Sequence, residues 1–137
     1  MFIRHVIHAK ETDPAVDVFT LMSHNGVSAV ALVDESNAFS GVLSAIDIKG
    51  VDDCCEQFMR LSLPAIEFLA PVRRMNVVDT SPTIGIRQNH SFGTALHRLA
   101  VTHVHRLFVT NEEYHLVGVV SIGDILRVIR DCLSDLQ

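Results

Sequence analysis

Two short stretches constrain this chain more than any other feature: GVLSAIDI at residues 41–48 and GVVSIGDIL at residues 118–126. Each runs glycine, two apolar residues, serine, two further residues, aspartate and an apolar residue. Gly118, Ser121 and Asp124 follow Gly41, Ser44 and Asp47 by 77 positions. A device used twice in 137 residues implies an internal repeat, in which one supersecondary unit is built twice. The flanking segments extend the match. Read at an offset of 76, SAVALVD (28–34) lies over VHRLFVT (104–110) and PAVDVFTLM (14–22) over HSFGTALHR (90–98). The loop NEEYHLV then counts as one residue longer than ESNAFS, which restores 77. Identities between the halves are few, and the shared apolar periods carry the match.

Each half reads as strand, helix, strand, strand, helix. Asp13 followed by Pro14 resembles an N-cap with proline in the first helical position, and Ala15, Phe19 and Met22 fall on one stripe behind it. Ser91 plays the same part before Phe92, Ala95, Leu96 and Leu99. Val30 to Val33 and Leu107 to Val109 are short strand candidates, each followed by a polar turn and the glycine-led strand. Gly41 and Gly118 are expected to let that strand turn closely behind the polar turn. Asp47 and Asp124 sit where a helix begins, and Ile125, Leu126, Ile129, Cys132, Leu133 and Leu136 form an apolar face toward the C-terminus. Residues 52–79 read as a structured connector of two short helices and a crossing segment, one opened by Asp52 or Asp53. Ser62 and Pro64 open the other, and Pro71 is expected to end it. The chain thus divides into a first repeat (1–51), a helical connector (52–79) and a second repeat (80–137).

The remaining composition excludes more than it proposes. At 48% hydrophobic and 20% charged, with no long Gly/Ser/Pro tract, the chain is ordered and globular. No apolar run approaches the roughly 18–20 residues of a membrane helix, and Arg4, His5, His8 and Lys10 interrupt any signal-peptide pattern. A cytoplasmic, intracellular protein is the expectation. Three cysteines, two of them the adjacent Cys54 and Cys55, argue against a secreted disulfide framework. The net charge of −5 offers no general attraction to nucleic acid or anionic lipid, yet leaves room for a local anion site.

The run of helix, VHRLFV, polar turn, LVGVVS and IGDIL resembles a cystathionine-β-synthase (CBS) motif, and two in tandem resemble a CBS pair, or Bateman module. The resemblance spans nearly the whole chain and is stronger in the second repeat. VHRLFVTNEEYHLVGVVSIGDIL is most similar in flavour to the γ regulatory subunits of AMP-activated protein kinases. It implies an α/β fold of tandem CBS motifs, each a small three-stranded sheet with two helices, packed as a pseudo-twofold pair. It also implies a non-catalytic module that binds adenine nucleotides (AMP, ADP or ATP) in clefts between the repeats and signals energy state to a partner such as a protein kinase.

Residue by residue, the resemblance carries Asp124 and Ser121 onto the ribose and phosphate positions of one site, and Asp47 and Ser44 onto those of the other. A carboxylate at a helix start is held by the helix dipole, and its two oxygens can accept both hydroxyls of a cis-diol. Thr83 and Ile84, in PTI, would approach the nucleoside, as would Ile7 in VIH of the first repeat; Ala29 and Val104 would flank the base. Arg106, with His105 beside it, matches the basic pair that reads phosphate, a task suited to a guanidinium fork. Departures are visible too. Gly123 and Ile46 stand where the γ subunits often carry a hydroxyl residue, and the first repeat sets Ala29 and Val30 against His105 and Arg106. A γ subunit carries four such motifs and this chain two, so either two chains pair as a homodimer to supply four or the chain is a different, free-standing adenylate sensor.

Plainer readings stand beside these. Asp124 is also a fitting helix cap, Ser44 and Ser121 fitting strand ends, and Arg106 a fitting solvated strand residue. His103 and His105 make half a zinc site without a second ligand pair, so no metal is expected. No nucleophile elbow supports a catalytic triad, Cys54 and Cys55 are better idle than nucleophilic, and Arg73-Arg74 reads as a solvated turn. No enzyme and no catalytic cofactor are expected. The rival readings are a regulatory fragment of a larger enzyme, transporter or channel, and an interaction module that binds another adenosyl ligand such as S-adenosylmethionine, or none.

Overall fold

A computed structural model describes residues 5–51, 58–75 and 85–136. They group into two units, one within Ile7–Thr83 and one within Ile84–Gln137 that also takes His5 and Val6. The first unit contains β1 (His8–Lys10), α1 (Ala15–Asn25), β2 (Ala29–Val33), β3 (Phe39–Ser44), a 3-10 segment (Ala45–Gly50), a 3-10 turn (Arg60–Ser62) and α2 (Ala65–Met75). The second contains β4 (Gly85–Arg87), α3 (Phe92–Thr102), β5 (Arg106–Thr110), β6 (Leu116–Ser121) and α4 (Ile122–Ser134). Both sheets have the same plan, β1-β2-β3 and β4-β5-β6, with the outer first strand parallel to the centre and the last antiparallel to it.

Central position explains the composition of β2 and β5. Val30, Ala31, Leu32 and Val33 are all buried, as are Leu107, Phe108 and Val109, so neither strand shows the alternation of a half-exposed one. On α1 the buried residues Ala15, Val18 and Met22 recur at helical spacing and face a core of Ala9, Val30, Leu32 and Leu43. The helix α2 completes that core. Ala65, Phe68 and Leu69 are buried in it, and Phe19 meets the Phe68 ring edge-on at 5.7 Å between centroids. The backbone ties the same elements together through Ala15 N–H to the Leu63 carbonyl and Ala65 N–H to the Asp13 carbonyl. In the second unit Ile86, Ala95, Leu99, Leu107, Val109 and Ile125 make the corresponding cluster.

The structure changes several sequence readings. The repeat holds one offset throughout: His8↔Ala31 and Gly85↔Phe108, Leu32↔Gly41 and Val109↔Gly118, Val33↔Phe39 and Thr110↔Leu116 are all 77 residues apart. The loops are equal in length, each with a left-handed residue (Asn37, Tyr114) and a side-chain turn in which Asp34 or Asn111 accepts two backbone N–H bonds. Both glycines sit inside the ladder beside the bulge, and the turning is done by these residues instead. Pro14, extended at ψ 137°, caps α1, while Asp13 accepts from Lys10 N–H at 2.9 Å and closes the turn after β1. Pro71 lies inside α2, and so do Arg73 and Arg74. The lost backbone bond of an interior proline is offset by the buried face of the preceding turns.

One further change bears on function. The second repeat closes with thirteen residues of α-helix, the first with a 3-10 segment of six. After Asp124 the sequence ILRVIRDCL runs without glycine and includes Leu126, Arg127, Arg130 and Leu133, whereas after Asp47 a glycine, Gly50, follows within three residues. Glycine sustains a helix poorly, and Val51 is already extended. The connector helix expected at Asp52 or Asp53 lies outside the described residues.

Candidate functional site: the start of α4 and its counterpart

Ser121 ends β6 and caps α4 with extended backbone, φ −101° and ψ 163°. Its Oγ accepts the Asp124 N–H at 3.2 Å, while Asp124 Oδ2 accepts the Ser121 N–H at 3.0 Å and the Ser121 hydroxyl at 2.8 Å. This is a capping box with aspartate in the third helical position, and it satisfies amide groups that the helix leaves open. Asp124 is only 2% exposed. A carboxylate so buried needs hydrogen bonds and favourable charge, and here it has both, lying at the positive end of α4. Its Oδ1 is 3.5 Å from Nη1 of Arg127, one turn along the helix.

The neighbouring strand adds a second cation. Arg106, half-buried, is the direct ladder partner of Ser121. Direct antiparallel partners project from one face of a sheet with Cβ atoms roughly 4.5–5.5 Å apart. The His105 carbonyl accepts the Ile122 N–H at 3.0 Å, so the strand also holds the helix start in place. Of the expected residues in this unit, Arg106, Ser121 and Asp124 therefore come together, joined through backbone by His105. The His105 side chain is exposed, and Val104 packs against the core of the unit. Thr83 and Ile84 lie outside the described residues.

The first unit repeats the frame with different chemistry. Ala29 is the ladder partner of Ser44, the Ser28 carbonyl accepts Ala45 N–H at 2.9 Å, and Ser44 N–H donates to Asp47 Oδ2 at 2.8 Å. The true counterparts of His105 and Arg106 are thus Ser28 and Ala29, one residue before the pair expected from the sequence. Asp47 is half-buried where Asp124 is buried, and Ile46 and Ile48 beside it are exposed. Ile7 packs against the core cluster of its unit.

Sequence reasoning missed Arg127. Its signal was the i, i+3 spacing from Asp124, which puts both side chains on one face of a helix. Among the described residues, no group of three or more His, Cys, Asp or Glu side chains could hold a metal ion, and no helix is long and apolar enough to cross a membrane.

What these parts define is an α/β module made of one sheet-and-helix unit used twice, each with a Ser-x-x-Asp at the end of its third strand. The CBS domain model matches residues 2–53 and 72–131, and the chain belongs to the CBS-domain family. The chain is similar to the gamma subunit of 5'-AMP-activated protein kinase from Saccharomyces cerevisiae, at 30% identity over 118 residues, 86% of this chain and 35% of the yeast protein. It is also similar to the human gamma-3 subunit of that kinase, at 28% identity over 87% of this chain and 23% of the human one. It therefore spans about a third or less of the length of these relatives. Among solved structures, a CBS domain protein from Pyrobaculum aerophilum complexed with AMP superposes with a TM-score of 0.71 over 95% of both chains, at 21% identity. At that identity the likeness shows the fold.

Proposed function

We propose that this chain is a non-catalytic regulatory module that binds an adenine nucleotide and passes its occupancy to a partner protein. The observation that carries the reading is the second repeat's constellation: a guanidinium, Arg106, directly across the ladder from a hydroxyl, Ser121, that is itself bonded to a buried carboxylate, Asp124. Such a group has an acceptor for a ribose diol and donors for a phosphate within one strand spacing. The AMP-complexed relative in fold and the kinase gamma subunits support adenine nucleotide as the ligand, and a protein kinase as the class of partner. In this reading Asp47 and Ser44 form the weaker of two acceptors, with Ala29 as the ladder partner of Ser44, and Thr83, Ile84, Val104, Ile7 and Ala29 approach the nucleoside. Calorimetric titration of the purified chain with AMP, ADP, ATP and adenosine tests it. Saturable AMP binding is the expected result, and no heat with any of the four removes the reading.

The same module is proposed to act as a homodimer. On α4, Ile122, Leu126, Ile129 and Leu133 recur at spacings of four, three and four, and all are exposed, as is Leu136 just beyond the helix. That is the spacing of a helix–helix seam. A stable interface of ordinary size would bury roughly 1,200–2,000 Å². Sedimentation should give twice the 15.1 kDa chain mass at micromolar concentration, and a monomer at high micromolar concentration contradicts the proposal.

A further inference from the structure

The ion pair between Arg127 and Asp124 has a consequence for which ligands the second repeat prefers. Asp124 presents two oxygens. Oδ2 is engaged by both the amide and the hydroxyl of Ser121, and Oδ1 faces the Arg127 guanidinium at 3.5 Å. The two partners differ sharply in freedom, since the Asp124 side chain is 2% exposed and that of Arg127 48%. The carboxylate is fixed by its box, while the long arginine side chain keeps a solvated path away from it. A diol that hydrogen-bonds to Asp124 therefore meets a cation already on the outer oxygen, and the cation is the group that can move.

We infer that Arg127 is a specificity-determining residue of this site: it competes with a diol for Asp124 and turns to a phosphate when the diol binds. This rests on the adenine-nucleotide reading above and extends it to a residue outside the repeated motif. A bare nucleoside breaks the Arg127–Asp124 pair and returns only a solvated guanidinium. A nucleoside phosphate breaks the same pair and offers the guanidinium an anion within the ligand, where a fork of N–H donors bonds strongly. Arg127 thus penalises the unphosphorylated ligand and rewards the phosphorylated one. The first repeat has no such device, because Gly50 occupies the position 77 residues earlier. The preference therefore belongs to one repeat and is absent from the other.

The test uses the full chain, with Arg127→Gln and Arg127→Lys titrated calorimetrically against AMP and adenosine. In Arg127→Gln, AMP should bind at least about 5-fold more weakly, the lower end of what a charge-assisted hydrogen bond contributes after the released ion pair is set against it. Adenosine should bind equally well or up to about 5-fold more tightly, the range of an ion pair whose cation stays solvated. Arg127→Lys keeps the charge without the fork, so its loss for AMP should be smaller. Equal weakening of both ligands, or no change in either, overturns the inference. These outcomes stand apart from failure of the underlying reading, in which the parent chain binds neither ligand and both proposals fall.

Discussion

The two repeats share a backbone and differ in what they mount on it. Ladder pairs, the left-handed loop residues Asn37 and Tyr114, and the helix-ending residues Gly26 and His103 all recur at an interval of 77. Yet one Ser-x-x-Asp opens a thirteen-residue helix with a buried carboxylate and a cation opposite, and the other opens six residues of 3-10 helix with an alanine opposite. The frame is thus separable from the chemistry. Backbone hydrogen bonding and buried strands specify the repeat, and in the proposed function a few side chains at the strand ends decide which copy holds an anionic ligand.

The largest expected effect on that comparison comes from Arg106. Arg106→Ala should weaken AMP binding by about 10-fold or more, from loss of charged hydrogen bonds of about 1.5–3 kcal/mol, and barely change adenosine binding. Ala29→Arg tests the converse, by giving the first repeat the cation it lacks. Calorimetry with both ligands checks the pair, and equal losses for AMP and adenosine in Arg106→Ala would make the arginine a structural strand residue. Next in size are the caps. Ser121→Ala should destabilise the chain by about 0.5–2 kcal/mol, because it removes the N-cap of a long helix. Ser44→Ala should cost less, since little helix depends on it. Urea melts would contradict the contrast if the two losses were equal.

The smallest effect concerns the helix ends. His103 holds φ 54° at the position where the first repeat has Gly26 at φ 61°. A residue with a Cβ is strained there, so His103→Gly should stabilise by about 0.5–1 kcal/mol. Gly26→Ala should destabilise by a similar amount through conformation alone, because a Cβ on Gly26 would meet nothing within 4 Å. Opposite signs in thermal melts are the expected outcome.

The sequence revealed the repeat, the order of elements and the Ser-x-x-Asp pair, because these rest on local patterns. It misjudged the offset by one residue. In β2 and β5 apolar residues run continuously, so sliding one strand over the other changes no period, and only the ladder and its bulge fix the register. That one-residue error moved the basic pair onto Ala29 and Val30 when its counterparts are Ser28 and Ala29. The hydroxyl of Ser121 was legible as a polar group at the strand end but not as the partner of Asp124, since the capping box usually carries a glutamate or glutamine in the third position. Arg127 escaped because its meaning comes from a contact made only once α4 has formed. Pro71 misled for the same reason, as burial of Phe68 and Leu69 outweighs a local breaker.

The central claim is that the second repeat holds the principal nucleotide acceptor. Titration of AMP into Asp124→Ala and Asp47→Ala, side by side with the parent chain and with folding of each verified by its melt, tests it most directly. Asp124→Ala should lower AMP affinity at least about 10-fold, as expected for loss of a charged acceptor, and Asp47→Ala should lower it less. A folded Asp124→Ala chain that binds AMP as tightly as the parent would contradict the account.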